Sequence, residues 1–133
     1  NCKFTNLGND AIDFSGSTIT IQDVTIDKAA DKGISGGEMS HLTVKNTNIR
    51  RCNIGIASKD LSIVEVTGTK VLDCNYGLVL LQKKPEYGPG TLFFNQSIIQ
   101  NPQTPMLIEV GSKVFQDGNE IQGTVKNAGD LFY

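Results

Sequence analysis

Tryptophan is absent from this 133-residue chain, histidine occurs once, and aromatic residues make up only 7% of it. Glycine is plentiful at 14 residues, with many Asn and Asp. That is a turn-rich composition with β-branched filling, which argues against helices. The three cysteines include no C-x-x-C pair, so neither a disulfide framework nor a zinc site is indicated. No apolar run approaches the ~20 residues of a membrane span, and the opening "NCKFTNLGND" has no charged head followed by a greasy stretch. The net charge is −2. Lys and Arg are scattered apart from "RR" at 50 to 51 and "KK" at 83 to 84, so nothing resembles the basic stripe that nucleic acid requires. The size is that of one domain, residues 1–133.

What is present is a repeat. Ile12 recurs as Ile34, Ile56 and Leu78, each step being 22 residues. Three positions earlier stand Asn9, Asp31, Asn53 and Asn75, and immediately before each apolar residue stands a small one: Ala11, Gly33, Gly55, Gly77. A second register runs between these. "ITIQDVTI" (19 to 26), "LTVKNTNI" (42 to 49), "VEVTGTKV" (64 to 71) and "LFFNQSII" (92 to 99) align without gaps, each apolar at its first, third and last positions. This is the period-2 signature of a short strand followed by a turn and a second apolar anchor. Phe4 fits the end of an earlier copy, and "VFQDGNEI" (114 to 121) fits a later one less well.

A repeat of this length with short strands and no helix pattern, lacking the fixed leucines of leucine-rich repeats, describes a parallel β-helix. Successive coils stack about 4.8 Å apart, so equivalent residues form columns. The Asn9, Asp31, Asn53, Asn75 column has the composition of a turn. There Asn tolerates a left-handed backbone and its amide can bond to the amide above. "DKGISGGEMS" (31 to 40) is then one coil corner and strand, because a phosphate loop would need a helix behind it and "HLTVKNTNI" is a strand pattern.

"NIGIASKDLS" and "VTGTKVLDCNYGL" resemble the right-handed parallel β-helix repeats of the pectin-lyase-like superfamily, the carbohydrate-binding and sugar-hydrolase type repeats. The resemblance covers most of the chain and concerns fold. It implies an all-β, single-stranded, right-handed solenoid of about six coils, consistent with the general hand of parallel crossovers. Enzymes of that superfamily act on acidic polysaccharides. The patterns of its polygalacturonase-like members ("NTD" with "DD" and "GHG") and epimerase-like members ("DPHD") are absent here.

Candidate residues fall in three groups. Asp10 and Lys32 share a column and are expected to pair across the stack, with Asp13 on the same charged face. Glu38 and Asp60 share another column, where like charges about 5 Å apart repel unless Lys59, Lys83 or a calcium ion lies between them. Turn-capping near Ser40 and Ser62 is the simpler role for these carboxylates; calcium is the only cofactor they suggest, and weakly. The longest break in the repeat, "QKKPEYGPG" (82 to 90), projects from the stack and offers Lys83, Lys84 and Tyr87 for glycan contact, together with an outward Tyr76.

His41 reads as a surface residue in the column of Thr18, Ile63 and Thr91. Cys52 and Cys74 read as stacked, buried free thiols. Leu131, Phe132 and Tyr133 are expected to fold over the last coil. The coil from Cys2 to Asp13 is expected to be an open edge that self-associates, with further coils before it in the native protein. The reading is a β-helix module of a longer secreted or cell-surface bacterial protein, with a structural or polysaccharide-binding role and no catalytic signature. The rivals are part of a polysaccharide lyase, glycoside hydrolase or uronate epimerase, and a purely structural stack.

Overall fold

The apolar positions spaced one repeat apart wind the chain into coils of three strands each, in a computed structural model that describes residues 2–82 and 88–132. The first coil holds β1 (Cys2–Leu7), β2 (Ile12–Ser15) and β3 (Thr18–Gln22). The second holds β4 (Val24–Ala29), β5 (Lys32–Gly37) and β6 (His41–Lys45). The third holds β7 (Asn48–Arg50), β8 (Ile54–Lys59) and β9 (Ile63–Thr67). The fourth holds β10 (Lys70–Leu72), β11 (Tyr76–Leu81) and β12 (Thr91–Asn95), and the fifth β13 (Ile98–Gln100), β14 (Thr104–Ile108) and β15 (Lys113–Gln116). Corresponding strands pair in parallel, giving a first sheet β1-β4-β7-β10-β13, a second β2-β5-β8-β11-β14 and a third β3-β6-β9-β12-β15. The third is closed by β16 (Asn119–Gln122).

Each sheet contributes inward columns. Ile12, Ile34, Ile56, Leu78 and Met106 are in register on the second sheet. Ile19, Leu42, Val64, Leu92 and Val114 are in register on the third, and Phe4, Ile26, Ile49, Val71 and Ile99 on the first. Members in the middle coils are fully buried, while Phe4, Ile12 and Ile19 at one end and Ile99 and Met106 at the other are half-buried. Each fully buried aliphatic side chain contributes about 2 kcal/mol of hydrophobic stabilisation. The small residues before the second-sheet column are required by the stacking: a Cβ on Gly55 would lie 2.7 Å from the carbonyl oxygen of Gly77 in the next coil and 2.5 Å from Cγ1 of Val71.

Three features depart from the sequence expectation. There are five coils, not six: "VFQDGNEI" turns back through Asp117 and Gly118, both at positive φ, so β16 pairs antiparallel with β15 and Ile121 faces Val114. A two-residue Asp-Gly turn with both residues left-handed is the favoured hairpin connection.

The left-handed corner is not at Asn9, Asp31, Asn53 and Asn75. It falls on Asn6, Lys28, Arg51, Asp73 and Asn101, one per coil, and on Asp23, Asn46, Gly68 and Gln96 where the chain leaves the third sheet. The amide ladder does form at the predicted column, where Asn75 Nδ2 donates to Asn53 Oδ1 at 3.0 Å.

The C-terminal segment lies over the outer face of the second sheet and not over the last coil. Its 3-10 turn, Ala128–Leu131, buries Ala128 against Ala57, Val79 and Leu107, and Phe132 meets Tyr76 edge to face at 5.2 Å. Leu131 remains exposed, and Tyr133 lies outside the described residues. The cause is the near-continuous apolar run of β8 and β11, which leaves apolar side chains on both faces of the sheet and so demands a cover. Glu109 fastens that cover, accepting the Gln82 N–H at 3.0 Å through Oε1 and the Ala128 N–H at 2.8 Å through Oε2.

Candidate functional site

The predicted charged residues are brought together in part. Lys32 Nζ lies 3.8 Å from Asp10 Oδ1 and 2.9 Å from Asp31 Oδ2, and the Lys32 backbone N–H donates to Asp10 Oδ1 at 3.1 Å. The pairing across the stack is therefore present, with Asp31 as an added partner. Burial raises the Asp10 carboxyl above its ordinary value, only partly offset by the Lys32 N–H and ammonium. Asp13 stands exposed on the same sheet in register with Ser35.

Glu38 and Asp60 occupy equivalent left-handed positions where the chain turns from the second sheet to the third. The turns are closed by the main chain, Ser40 N–H to Gly37 O at 3.2 Å and Ser62 N–H to Lys59 O at 3.0 Å, reinforced by the Ser40 hydroxyl on Gly37 O. Glu38, Lys59 and Asp60 are each engaged in further polar contacts. Among the described residues no group of three or more His, Cys, Asp or Glu side chains is arranged to hold a metal ion.

Lys83, Lys84 and Tyr87 lie outside the described residues. Tyr76 does stand on the outer face, half-buried, with Phe132 packed against it. His41 is a surface residue in the predicted column, and its Nε2 meets Glu65 Oε2 across one coil. In the same face Phe93 and Phe115 stack at 5.0 Å with 14° between their planes. The pair is one coil apart, so the ring faces are spent on each other and what points outward is mainly edge.

Cys52 and Cys74 are buried and free, each Sγ donating to the carbonyl two residues earlier. The neighbouring Cys52 thiol, together with burial, raises Cys74 far above the ordinary thiol range.

The most distinctive surface is one the sequence reading missed. Positions flanking the anchors Ile26, Ile49, Val71 and Ile99 point outward from the first sheet. One column runs Lys3, Thr25, Asn48, Lys70, Ile98, and the next Thr5, Asp27, Arg50, Leu72, Gln100. The left-handed corner beside them adds Asn6, Lys28, Arg51, Asp73 and Asn101. This face carries the exposed cations Lys3, Lys28, Arg50, Arg51 and Lys70 against two carboxylates, Asp27 and Asp73, on a chain whose net charge is −2.

Arg51 forks onto Asp27, Nε to Oδ1 at 2.8 Å and Nη2 to Oδ2, with Arg50 Nη2 4.0 Å from Oδ2. The Arg51 hydrogen bonds hold the Asp27 carboxyl below its usual range. Lys3, Lys28 and Lys70 make no ion pair among the described residues. Lys28 and Arg51 stand on adjacent coils in the same corner column, about 4.8 Å apart and within the ~8 Å screening length at physiological salt, so these two cations reinforce one another.

The scattered Lys and Arg residues of the sequence thus come to one side of the solenoid once the coils stack. The signal lay in the residues on either side of each last apolar anchor.

No curated protein and no solved structure matches the chain. The pattern of the family described as right handed beta helix region does match, over residues 1–128, and the chain belongs to that family.

Proposed function

We propose that this β-helix is a polysaccharide-binding module and that it holds an acidic polysaccharide against the outer face of the first sheet. The observation that carries the reading is the group of five exposed Lys and Arg on and beside that face, with three lysines free of ion pairs among the described residues. Ammonium and guanidinium groups carried on and beside a rigid sheet complement the carboxylate or sulfate groups of such a ligand. Among the described residues no aromatic side chain points outward from this face, so they offer no base-stacking platform of the kind typical of single-stranded nucleic acid binding. On this reading the module acts outside the cell or at its surface, where polysaccharides of this class are met.

The third sheet supports a different role for its own outer face. The His41–Glu65 contact, the Lys113–Glu120 pair at 3.9 Å and the Phe93–Phe115 stack tie neighbouring strands to one another, which is what a purely structural surface does.

The test compares the parent with a Lys3→Glu/Lys28→Glu/Lys70→Glu variant for binding to polygalacturonate, to a neutral glucan and to single-stranded DNA. Because all three side chains are exposed, the fold should survive, and circular dichroism checks it. The parent should bind the uronan in a salt-sensitive way, and the triple variant should lose at least about tenfold in affinity with a shallower salt dependence. Uronan binding unchanged in the variant, or stronger binding to DNA than to the uronan, would remove the reading.

A further inference from the structure

We infer that the free edge of β13 is a docking site for an extended peptide of a partner protein, which adds a sixth strand to the first sheet and sets one apolar side chain into the cavity beside it. The three sheets end differently on the fifth coil. In the third, β15 is covered by β16. In the second, the returning chain bonds to the end of β14, Thr124 N–H to Ile108 O at 3.0 Å and Val110 N–H to Val125 O at 2.8 Å, and Pro105 deprives the exposed part of that strand of a donor. In the first, β13 pairs with β10 alone among the described residues. Ile98 N–H donates to Thr69 O at 3.0 Å and Asp73 N–H donates to Gln100 O at 2.9 Å, so both residues are bonded to the fourth coil. Alternate residues of a parallel strand bond to opposite neighbours, so the N–H and C=O of Ile99 between them face the open side.

Beside this edge the core is unfinished. Ile99 and Met106, the last members of their inward columns, are half-buried, and with Gln116 and Ile121 they line an open cavity of about 460 Å³. Ile98, pointing outward from the same strand, is 44% exposed. The surroundings select the occupant. β16 and the returning segment stand one rung above β13, at the level that the end coil of a second solenoid would have to fill, so a whole coil is kept off while a single strand can enter beside them. The pattern of that strand follows from the columns. An apolar residue over Ile99 continues Phe4, Ile26, Ile49, Val71 and Ile99, a second apolar residue packs outward on Ile98, and a polar one lies over Gln100. Main-chain bonds then supply affinity and the cavity supplies specificity, as in strand addition generally. This edge is separate from the cationic face, and the two readings stand or fall independently.

The probes are capped hexapeptides Ser-Thr-X-Ile-Thr-Ser with Val, Leu or Phe at X, added to the parent protein and followed by NMR amide exchange and shift changes. In the free protein the Ile99 amide should exchange quickly while that of Ile98 is protected, and saturating peptide should slow Ile99 exchange at least about tenfold. Replacing the peptide isoleucine with Asp, or N-methylating the peptide amide that faces β13, should each weaken binding at least about tenfold. Ile98→Asp, at an exposed position where the fold should persist, should weaken it severalfold. An Ile99 amide already protected in the free protein at every concentration would overturn the proposal, as would binding indifferent to N-methylation or no binding by any of the three peptides. Protection of Ile99 that rises with protein concentration alone would overturn it in favour of a second copy on the same edge.

Discussion

Replacing Gly55 with alanine adds a single methyl group at a position where the next coil leaves no room. The new Cβ would lie 2.5 Å from Val71 Cγ1, 2.7 Å from the carbonyl oxygen of Gly77 and 3.6 Å from the Gly77 carbonyl carbon. Carbon atoms settle about 3.5 to 4 Å apart, so the methyl is about 1 Å too close to two atoms at once. Val71 is fully buried and cannot swing away. The Gly77 oxygen belongs to β11, whose ladder with β8 would have to part for it to move. Overpacking a tight core costs about 1 to 3 kcal/mol. With backbone on one side of the clash the upper end applies, about 3 kcal/mol.

For a chain of this size 1 kcal/mol is roughly 4 °C in Tm, so the midpoint should fall by about 12 °C. Gly8→Ala is the control, since nothing lies within 4 Å of its Cβ and its φ is not in the left-handed region. It should be neutral, or stabilising by up to about 1 kcal/mol through the unfolded chain. Thermal melts followed by far-ultraviolet circular dichroism suffice. A Gly55→Ala midpoint within about 2 °C of the parent would show that the coils are not stacked as described.

Two more outcomes follow from side-chain placement. Of the three cysteines only Cys2 is exposed, so one equivalent of thiol should react quickly with an aromatic disulfide reagent in the folded protein and all three after denaturation; a second fast equivalent would contradict the burial of Cys52 and Cys74. In a carboxyl-detected NMR titration Asp27 should titrate below, and Asp10 above, the ordinary aspartate value. The signs differ accordingly. The contribution of Asp27 to stability is complete above the unfolded-state value of about 3.9 and is lost as pH falls through its lower folded value, whereas that of Asp10 is present below the unfolded value and is lost as pH rises through its raised folded value. Equal titration midpoints for the two would refute both environments.

Much of the architecture was legible because a parallel stack repeats its demands at a fixed interval. The hydrophobic effect selects the inward columns, so Ile12, Ile34, Ile56 and Leu78 announce their register. Steric exclusion selects the glycines beside them. Polar placements one coil apart were equally readable, as with Asp10 and Lys32 or Asn53 and Asn75.

Other features were obscured for identifiable reasons. The left-handed corner carries Lys28 and Arg51, residue types with no preference for that backbone, so the stack imposes what local propensity does not suggest. The Asp117–Gly118 pair was a hairpin signal inside a segment otherwise patterned like a coil. The cover on the second sheet was written in "YGLVLL", whose unbroken apolar run means two buried faces. The candidate face was hidden because its cations are far apart in sequence and fall in different columns, so no single repeat position marks them.

Because neighbouring middle coils pair in register and each spends about the same length of chain, a whole coil is also a unit of inheritance. Duplication of one repeat within a gene would insert a rung without disturbing the pairing above or below it, whereas gain or loss of a single residue inside a strand would turn every following side chain to the wrong face. Unequal crossing-over between near-identical repeats is thus a ready source of longer and shorter solenoids.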